Sequence, residues 1–296
     1  MVRVGILTSG GDCQGLNAAM RAVAKTLYCH YGENNIEIYG IKNGYKGLIY
    51  GDYQLMKPCN FSGILNRGGT ILGTSRQPFK SIRESDEHGL NRIDGMKRTY
   101  TSLMLDCLVV LGGNGSLKTA NLLSEEGMNV IVLPKTIDND LWGSDLTFGF
   151  QSAVNIATDV IDGIHTTATS HGRVFIVELM GHKVGWLTLY AGISAGADII
   201  LIPEIPYSIK KIVSDLKKRE RFGKNFSIIA MAEGAFEKST SNDKKIGTHS
   251  LFRPSMSYTL ADELAAALKQ EVRVVIPGHY QRGGNPSSPD RMLATR

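Results

Sequence analysis

No run of apolar residues in this 296-residue chain is long enough to cross a bilayer. The first residues, Met-Val-Arg-Val-Gly-Ile-Leu-Thr, enter a strand pattern at once and lack the apolar core of a signal peptide. Cysteine is scarce: Cys13, Cys29, Cys59 and Cys107 fall at no spacing that pairs them for zinc or a redox motif, so they read as reduced thiols. Short-period repeats and low-complexity segments are absent. Basic residues are scattered except for Lys210, Lys211, Lys217, Lys218, Arg219 and Arg221, which read as the solvated face of a surface helix. A formal net charge of +5 makes no demand for nucleic acid. What remains is a soluble, cytoplasmic globular protein with neither membrane nor nucleic acid as partner. Its 42% apolar content can bury one large core or two of ordinary size.

The chemistry concentrates in loops that follow apolar strands. Val2 to Leu7 reads as a strand, Thr8-Ser-Gly-Gly-Asp-Cys-Gln-Gly-Leu-Asn17 as a glycine-rich loop, and Ala18 to Tyr28 as a helix. Gly10, Gly11 and Gly15 let the backbone approach an anion, and the helix offers free N–H groups and a positive dipole end. The stretch matches neither the Walker pattern nor Gly-x-Gly-x-x-Gly, and taken alone it reads as readily as a tight turn without a ligand, the plainer of the two readings. Cys107 to Leu111, Gly112-Gly-Asn-Gly-Ser116 and a helix over 117–124 repeat the device. Two such loops at successive strand ends favour a shared polyphosphate site. Between them, Asn66-Arg-Gly-Gly-Thr-Ile-Leu-Gly-Thr-Ser-Arg76 follows a strand over 36–41 and a turn at Asn43-Gly-Tyr-Lys-Gly47. It can wrap phosphate oxygens with backbone donors and one guanidinium, or be a plain surface loop.

Leu133-Pro-Lys-Thr-Ile-Asp-Asn-Asp-Leu141 is the stretch around which the rest is organised. Asn129 to Leu133 reads as a buried strand that Pro134 stops, which leaves polar groups at a strand's carboxyl end, where open α/β sheets bind ligands. On an extended backbone Asp138 and Asp140 point the same way and suit a shared metal, or a base beside a metal-linked acid; an Asx-rich turn without chemistry is the alternative. Helices over 150–164, 185–195, 209–221 and 255–268 then alternate with strands over 174–179, 199–202, 226–231 and 272–276. The β-then-α order implies parallel sheets with helices on both faces. A boundary near Gly149 divides the strands into two sets.

Taken together, Ser9-Gly-Gly-Asp-Cys-Gln-Gly-Leu-Asn17, Gly68 to Arg76, Gly112-Gly-Asn-Gly-Ser116, Pro134-Lys-Thr-Ile-Asp-Asn-Asp140, Glu178-Leu-Met-Gly-His182 and Gly278-His-Tyr-Gln-Arg-Gly-Gly284 resemble the phosphofructokinase family. The likeness runs in order along the whole chain. It implies two similar three-layer α/β domains, 1–149 with 281–296 for the phosphoryl donor and 150–280 for fructose 6-phosphate, with the active site in the cleft between them. It also implies a homotetramer and magnesium-dependent phosphoryl transfer to the sugar 1-hydroxyl, a step of glycolysis. By the same resemblance Asp138 is the base, Thr136 touches the sugar phosphate or the transferred group, Gly11 donates an N–H to the transferring phosphoryl, and Arg76 stabilises its charge. Gly112, Gly113, Asn114, Gly115, Ser116 and Lys135 would line the donor site, with Asn114 and Asp140 at the metal. Arg173, Met180, Gly181, His182, Glu233, Arg273, His279 and Arg282 fall on sugar-phosphate positions, and Arg173 and Arg273 would reach in from a neighbouring subunit.

The chain departs from the family pattern at several places. Asn114 replaces the usual magnesium-associated acid, so metal affinity should be weaker unless Asp138 or Asp140 compensates. His182 replaces an arginine near the sugar phosphate and is only partly charged at neutral pH. Gly115 leaves room for the α-phosphate and nucleoside of ATP, whereas Lys135 resembles members that use pyrophosphate; because a lysine can swing aside, sterics favour ATP. Arg21 and Lys25 lie where members bind effectors, while the region near Lys57-Pro58 matches poorly. The chain ends inside a helical pattern at Leu293-Ala-Thr-Arg296, where family members continue. Two alternatives accompany the ATP reading: a pyrophosphate-dependent enzyme, and a non-catalytic sugar-phosphate-binding regulatory subunit.

Overall fold

The computed structural model describes residues 1–86, 89–238 and 255–296. They form a mixed α/β fold of two compact units, Met1–Ser152 with Arg282–Arg296, and Ala153–Gln281. The first unit contains β1 (Val2–Ser9), α1 (Leu16–Tyr31), β2 (Ile36–Ile41), α2 (Tyr45–Tyr50), β3 (Tyr53–Met56), α3 (Arg92–Ser102), β4 (Cys107–Gly112), α4 (Asn114–Glu125), β5 (Val130–Thr136) and β6 (Phe148–Gly149). Helix α5 (Phe150–His171) leads into the second unit, where β7 (Val174–Leu179), α6 (Trp186–Ser194), β8 (Ile199–Leu201), α7 (Ile209–Arg221), β9 (Ser227–Ala232), α8 (Met256–Ala267) and β10 (Val272–Val275) follow. The chain closes with α9 (Ser288–Thr295), which belongs again to the first unit.

The first sheet has the order β3-β2-β1-β4-β5-β6 and is parallel except for β3, which runs antiparallel to β2. From β1 the chain crosses to β2 on one side and later to β4 on the other, so the strand order reverses between β1 and β4. At such a point the loops leaving the two strands part and open a crevice at the carboxyl edge. The second sheet, β10-β7-β9-β8, is parallel throughout. Strands covered on both faces need continuous apolar sequence. Cys-Leu-Val-Val-Leu-Gly in β4 and Ser-Ile-Ile-Ala-Met-Ala in β9 supply it, and both runs are almost entirely buried. Leu108, Val110, Met96, Leu122 and Leu123 belong to one core; Val174, Ile176, Ile229, Leu216 and Leu264 belong to the other.

Four local readings of the sequence are corrected. The turn at 43–47 runs directly into α2, with Gly44 at φ 64° before its first residue. Helix α4 starts at Asn114, so part of the second glycine loop is a helical first turn. Helix α5 continues to His171. Strand β5 passes through Pro134 to Thr136 instead of stopping there, and Ile131 is half exposed. Its partner β6 pairs only with Lys135 and Thr136, so Pro134 lies in a stretch that has β4 on one side and no strand on the other. An edge position tolerates the missing N–H. The basic helix α7 has the expected arrangement: Ile212 and Leu216 are buried while Lys210, Lys211, Lys217 and Lys218 are exposed, and Arg219 pairs with Asp198 at 2.7 Å.

Leu108, the second residue of β4, is fully buried and belongs to the first core. Leu108→Ala should therefore cost about 2–5 kcal/mol through lost burial and the cavity left behind, read as a fall in the urea midpoint. An unchanged midpoint would mean that this strand is not at the centre of the first core.

Candidate active site

In the register of the first sheet Ser9 stands beside Gly112, and Gly112 beside Pro134. The carboxyl ends of β1 and β4 are therefore level, and β5 runs two residues further, to Thr136. Each feeds its own loop onto one edge: Gly10 to Gly15 after β1, the start of α4 after β4, and residues 137–147 after β5. Gly113 caps α4 without a side-chain hydrogen bond, and the first amide held by the helix is that of Leu117, which donates to the Gly113 carbonyl. The N–H groups of Asn114, Gly115 and Ser116 thus have no helical partner, which is the arrangement that receives an anion. Ser116 is buried, and a side chain on Gly112 would come within 2.3 Å of its Cβ. At Gly115 an added Cβ would meet nothing within 4 Å.

The loop after β1 is held from three sides. Its Gly10 N–H donates to the Ser75 carbonyl at 3.1 Å, and the Thr74 hydroxyl donates to the Gly10 carbonyl at 2.7 Å. The Thr8 hydroxyl reaches the Gly73 carbonyl at 2.8 Å. Asn17, fully buried in the first turn of α1, donates to the Arg67 and Gly68 carbonyls and accepts from Ile71 N–H at 2.9 Å. The stretch over 68–76 is thereby laid along the glycine loop. It ends in Arg76, an exposed guanidinium with no hydrogen bond or ion pair among the described residues.

The other two holds are cations. Lys135 is buried, and its ammonium donates to the Gly11 carbonyl. Burial holds that amine below its ordinary range. The expectation that this lysine swings aside is corrected, since its amine is already engaged inside the loop. Arg282 donates through Nη1 to the Asp12 carbonyl at 2.9 Å, and a Cβ on Gly11 would lie 2.9 Å from the same nitrogen. Arg282 thus sits on the glycine loop of the first unit. Beneath it Cys13 donates its thiol proton to the Phe148 carbonyl at 3.2 Å, and burial pushes the thiol pKa up to about 11. All four cysteines are free.

On the loop after β5, the Asp138 N–H donates to the Thr136 hydroxyl at 3.0 Å, and the Thr147 hydroxyl donates to the Thr136 carbonyl at 2.7 Å. The side-chain amide of Asn139 donates to the Asp145 carbonyl at 3.2 Å. The idea that Asp138 and Asp140 align on an extended backbone is corrected: Asn139, with φ 53°, turns the chain between them. Asp140 and Asn114 have no hydrogen bond or ion pair among the described residues. Among the described residues no group of three or more His, Cys, Asp or Glu gathers into a protein-only metal cage.

In the second unit, Glu233 follows β9 and accepts from the backbone N–H groups of Gly181, at 3.2 Å, and His182, at 2.7 Å. Met180, Gly181, His182 and Glu233 therefore share the carboxyl edge of β7 and β9. His279 follows the carboxyl end of β10, the strand on the other side of β7, and is exposed. His182 holds φ 54°, uncommon for a side chain with a Cβ. Arg173 precedes β7 and Arg273 is the second residue of β10, so both lie toward the amino edge of the same sheet. Six residues of strand separate Arg173 from the carboxyl edge, about 20 Å. Both arginines bond the carboxylate of Glu271. One copy of the second unit therefore does not gather its sugar-phosphate candidates at one point. The sequence reading gave no role to Glu271, Thr147 or the side chain of Asn17; the bonds of Asn17 to 67–71 and of Glu271 to Arg173 join residues 50 to 98 apart in the chain.

Comparison with known proteins gives the chain its relatives. A family model described as Phosphofructokinase matches residues 3–296. A protein named ATP-dependent 6-phosphofructokinase from Spirochaeta thermophila is 54% identical over 299 residues, covering 99% of this chain and 81% of that protein. One named ATP-dependent 6-phosphofructokinase 3 from Bacteroides thetaiotaomicron is 44% identical, covering 100% of this chain and 83% of that protein. Among solved structures, the phosphofructokinase of Saccharomyces cerevisiae superposes with a TM-score of 0.85 at 32% identity; this chain spans 40% of that one and is itself covered completely. A pyrophosphate-dependent phosphofructokinase from Marinobacter aquaeolei, 21% identical with a TM-score of 0.79 over all of this chain and 73% of that one, shares the fold.

Thr147 is almost fully buried. Thr147→Val keeps its shape but leaves the Thr136 carbonyl without its donor, and a loss of about 1–3 kcal/mol in urea unfolding is expected. Wild-type stability would show that this bond does not close the loop.

Proposed function

The chain belongs to the phosphofructokinase family, and we propose that it transfers the γ-phosphoryl group of ATP to the 1-hydroxyl of fructose 6-phosphate, forming fructose 1,6-bisphosphate in glycolysis. The observation that carries this reading is the meeting of two phosphate-type loops, after β1 and β4, beside the carboxylate loop after β5 at the carboxyl edge of one sheet. Phosphoryl transfer asks little of a protein except positioning and charge neutralisation. This edge has the parts for both.

The first unit takes the donor. Amides of Gly11 and of residues 114–116 receive phosphate oxygens, with Gly112 and Gly113 allowing the close approach. Arg76, uncommitted and exposed, meets the transferring group. Asp138 accepts the proton of the sugar hydroxyl as the new O–P bond forms and the bond from the γ-phosphorus to the departing ADP oxygen breaks, while the Thr136 hydroxyl fixes the Asp138 backbone. Lys135 acts from below: its ammonium braces the Gly11 carbonyl, so the Gly11 N–H stays aimed. That engagement weighs against the pyrophosphate reading, in which the amine itself would take donor phosphate. The open space at Gly115 supports ATP.

Magnesium fits the donor set, because Asn114 and Asp140 offer hard oxygens that no protein group occupies. These two would hold it, and when bound it would neutralise charge on the donor phosphates.

The second unit takes the sugar phosphate through Met180, Gly181, His182, Glu233 and His279, while Arg282 serves from the glycine loop. Arg173 and Arg273, near the opposite edge, serve a neighbouring copy, which is the reason for a homotetramer. A cytoplasmic location accords with the absence, among the described residues, of any helix long and apolar enough to cross a membrane.

The test is a coupled assay for fructose 1,6-bisphosphate with magnesium, fructose 6-phosphate, and ATP or pyrophosphate. Turnover with ATP is expected; turnover with pyrophosphate alone overturns the donor assignment, and silence with both favours a regulatory subunit. Asp138→Ala should lower kcat by about 10²–10⁴-fold while sugar binding by calorimetry persists. Undiminished turnover would remove Asp138 from the base role. Gly115→Asp fits the protein itself, so it should fold with wild-type stability and lose ATP turnover; full ATP activity in that variant would refute the steric argument.

A further inference from the structure

Asp290, in the first turn of α9, is 1% exposed, yet its carboxylate is surrounded by donors from a part of the chain 138 to 141 residues earlier. Its Oδ1 accepts from Gly149 N–H at 3.1 Å; its Oδ2 accepts from Ser152 N–H at 2.7 Å and from the Ser152 hydroxyl. The Ser152 oxygen in turn accepts from Ser287 N–H at 2.9 Å. Gly149 and Ser152 bracket the amino end of α5, so a carboxylate from another helix caps α5, close to its positive dipole end. Charge-assisted bonds of this kind are the strong ones, and inside a low-dielectric core they fix position narrowly.

What is fixed is the floor of the site. Gly149 is the last residue of β6, whose two residues pair with Lys135 and Thr136. Residues 137–147, with Asp138 and Asp140, are thus a loop whose two ends are the β5–β6 pairing. The same two residues of β6 touch the other loop: the Phe148 carbonyl holds the Cys13 thiol, and a Cβ on Gly15 would stand 3.0 Å from the Phe148 Cβ. A shift of Gly149 therefore moves the carboxylate loop and the glycine loop together.

We propose that Asp290 is a positioning residue for phosphoryl transfer, acting through Gly149 and β6 to hold the loop of Asp138 in register with the glycine loop. The proposal rests on the kinase reading given above. It touches neither substrate nor donor, so its signature is in kcat. Misplacement of a base by a fraction of an ångström reduces turnover far more than it reduces binding.

The experiment uses the full chain with Trp186→Phe, which leaves Trp142 as the single tryptophan. Trp142 is fully exposed on the 137–147 loop and reports its motion. Asp290→Asn, which retains shape but turns an amide N–H₂ toward donors, and the milder Ser152→Ala, which removes the hydroxyl's bond to Asp290 and the one it accepts from Ser287 but keeps both backbone N–H donors to Asp290, are compared with the parent. The expected result is a fall in kcat of about tenfold or more for Asp290→Asn, with KM for both substrates within about threefold, and a smaller fall of the same kind for Ser152→Ala. Emission anisotropy of Trp142 falls in step, at temperatures where circular dichroism shows the variants folded. If Asp290→Asn does not fold, Ser152→Ala alone decides. Wild-type kcat and anisotropy in a folded variant, or a rise in KM without a fall in kcat, overturns the proposal. If the parent itself transfers no phosphoryl group, the kinase reading has failed; the Trp142 anisotropy then still decides whether Asp290 holds the loop.

Discussion

The parallel register that sets Ser9, Gly112 and Pro134 side by side is the constraint on which the rest of the first unit depends. Parallel ladders permit no sliding here, because β1 and β4 are buried on both faces, and a one-residue slip would exchange the faces of every side chain. The loops after these three strands therefore leave from one edge, that of β5 two residues further on. The reversal of strand order between β1 and β4 sends their connections to opposite sides, the topology at which open α/β sheets bind ligands.

Side chains refine that edge from beneath. Lys135 donates to the Gly11 carbonyl and Arg282 to that of Asp12, while the neutral amide of Asn17 ties down the backbone of 67–71. Two cations thus stand against the glycine loop, whose Gly10 N–H is taken by the Ser75 carbonyl. An oligoanion is the ligand such a surface suits. Arg76 differs from Lys135 and Arg282 in having no partner among the described residues, which is the condition expected of a cation kept for a ligand.

The second unit follows the same logic with a different outcome. Its sheet places Met180, His182, Glu233 and His279 at the carboxyl edge and Arg173 with Arg273 toward the other, where Glu271 holds both arginines in one carboxylate. An arginine pair sharing a single negative charge retains net positive charge.

The sequence by itself determined most of the strands and the chemistry of their loops; β3, β6 and helix α3 were not legible in it. Apolar runs bounded by glycine, as at Leu111-Gly112, read as buried strands with a close turn after them, and Asp138 and Arg76 were legible from the motifs that hold them. It also determined the family, since six motifs recur in order. Tertiary structure alone decided what depends on residues far apart in the chain. Pro134 lies within a strand because β6 pairs only beyond it. Asn139 turns the backbone because Thr147 and Asp145 close the loop around it. Lys135 is a brace because burial brings its amine to Gly11, 124 residues earlier, and Asp290 is a cap because α9 returns to the start of α5. Periodicity and motif spacing record local geometry, whereas a buried charge acquires its role from partners that only the folded chain brings near it.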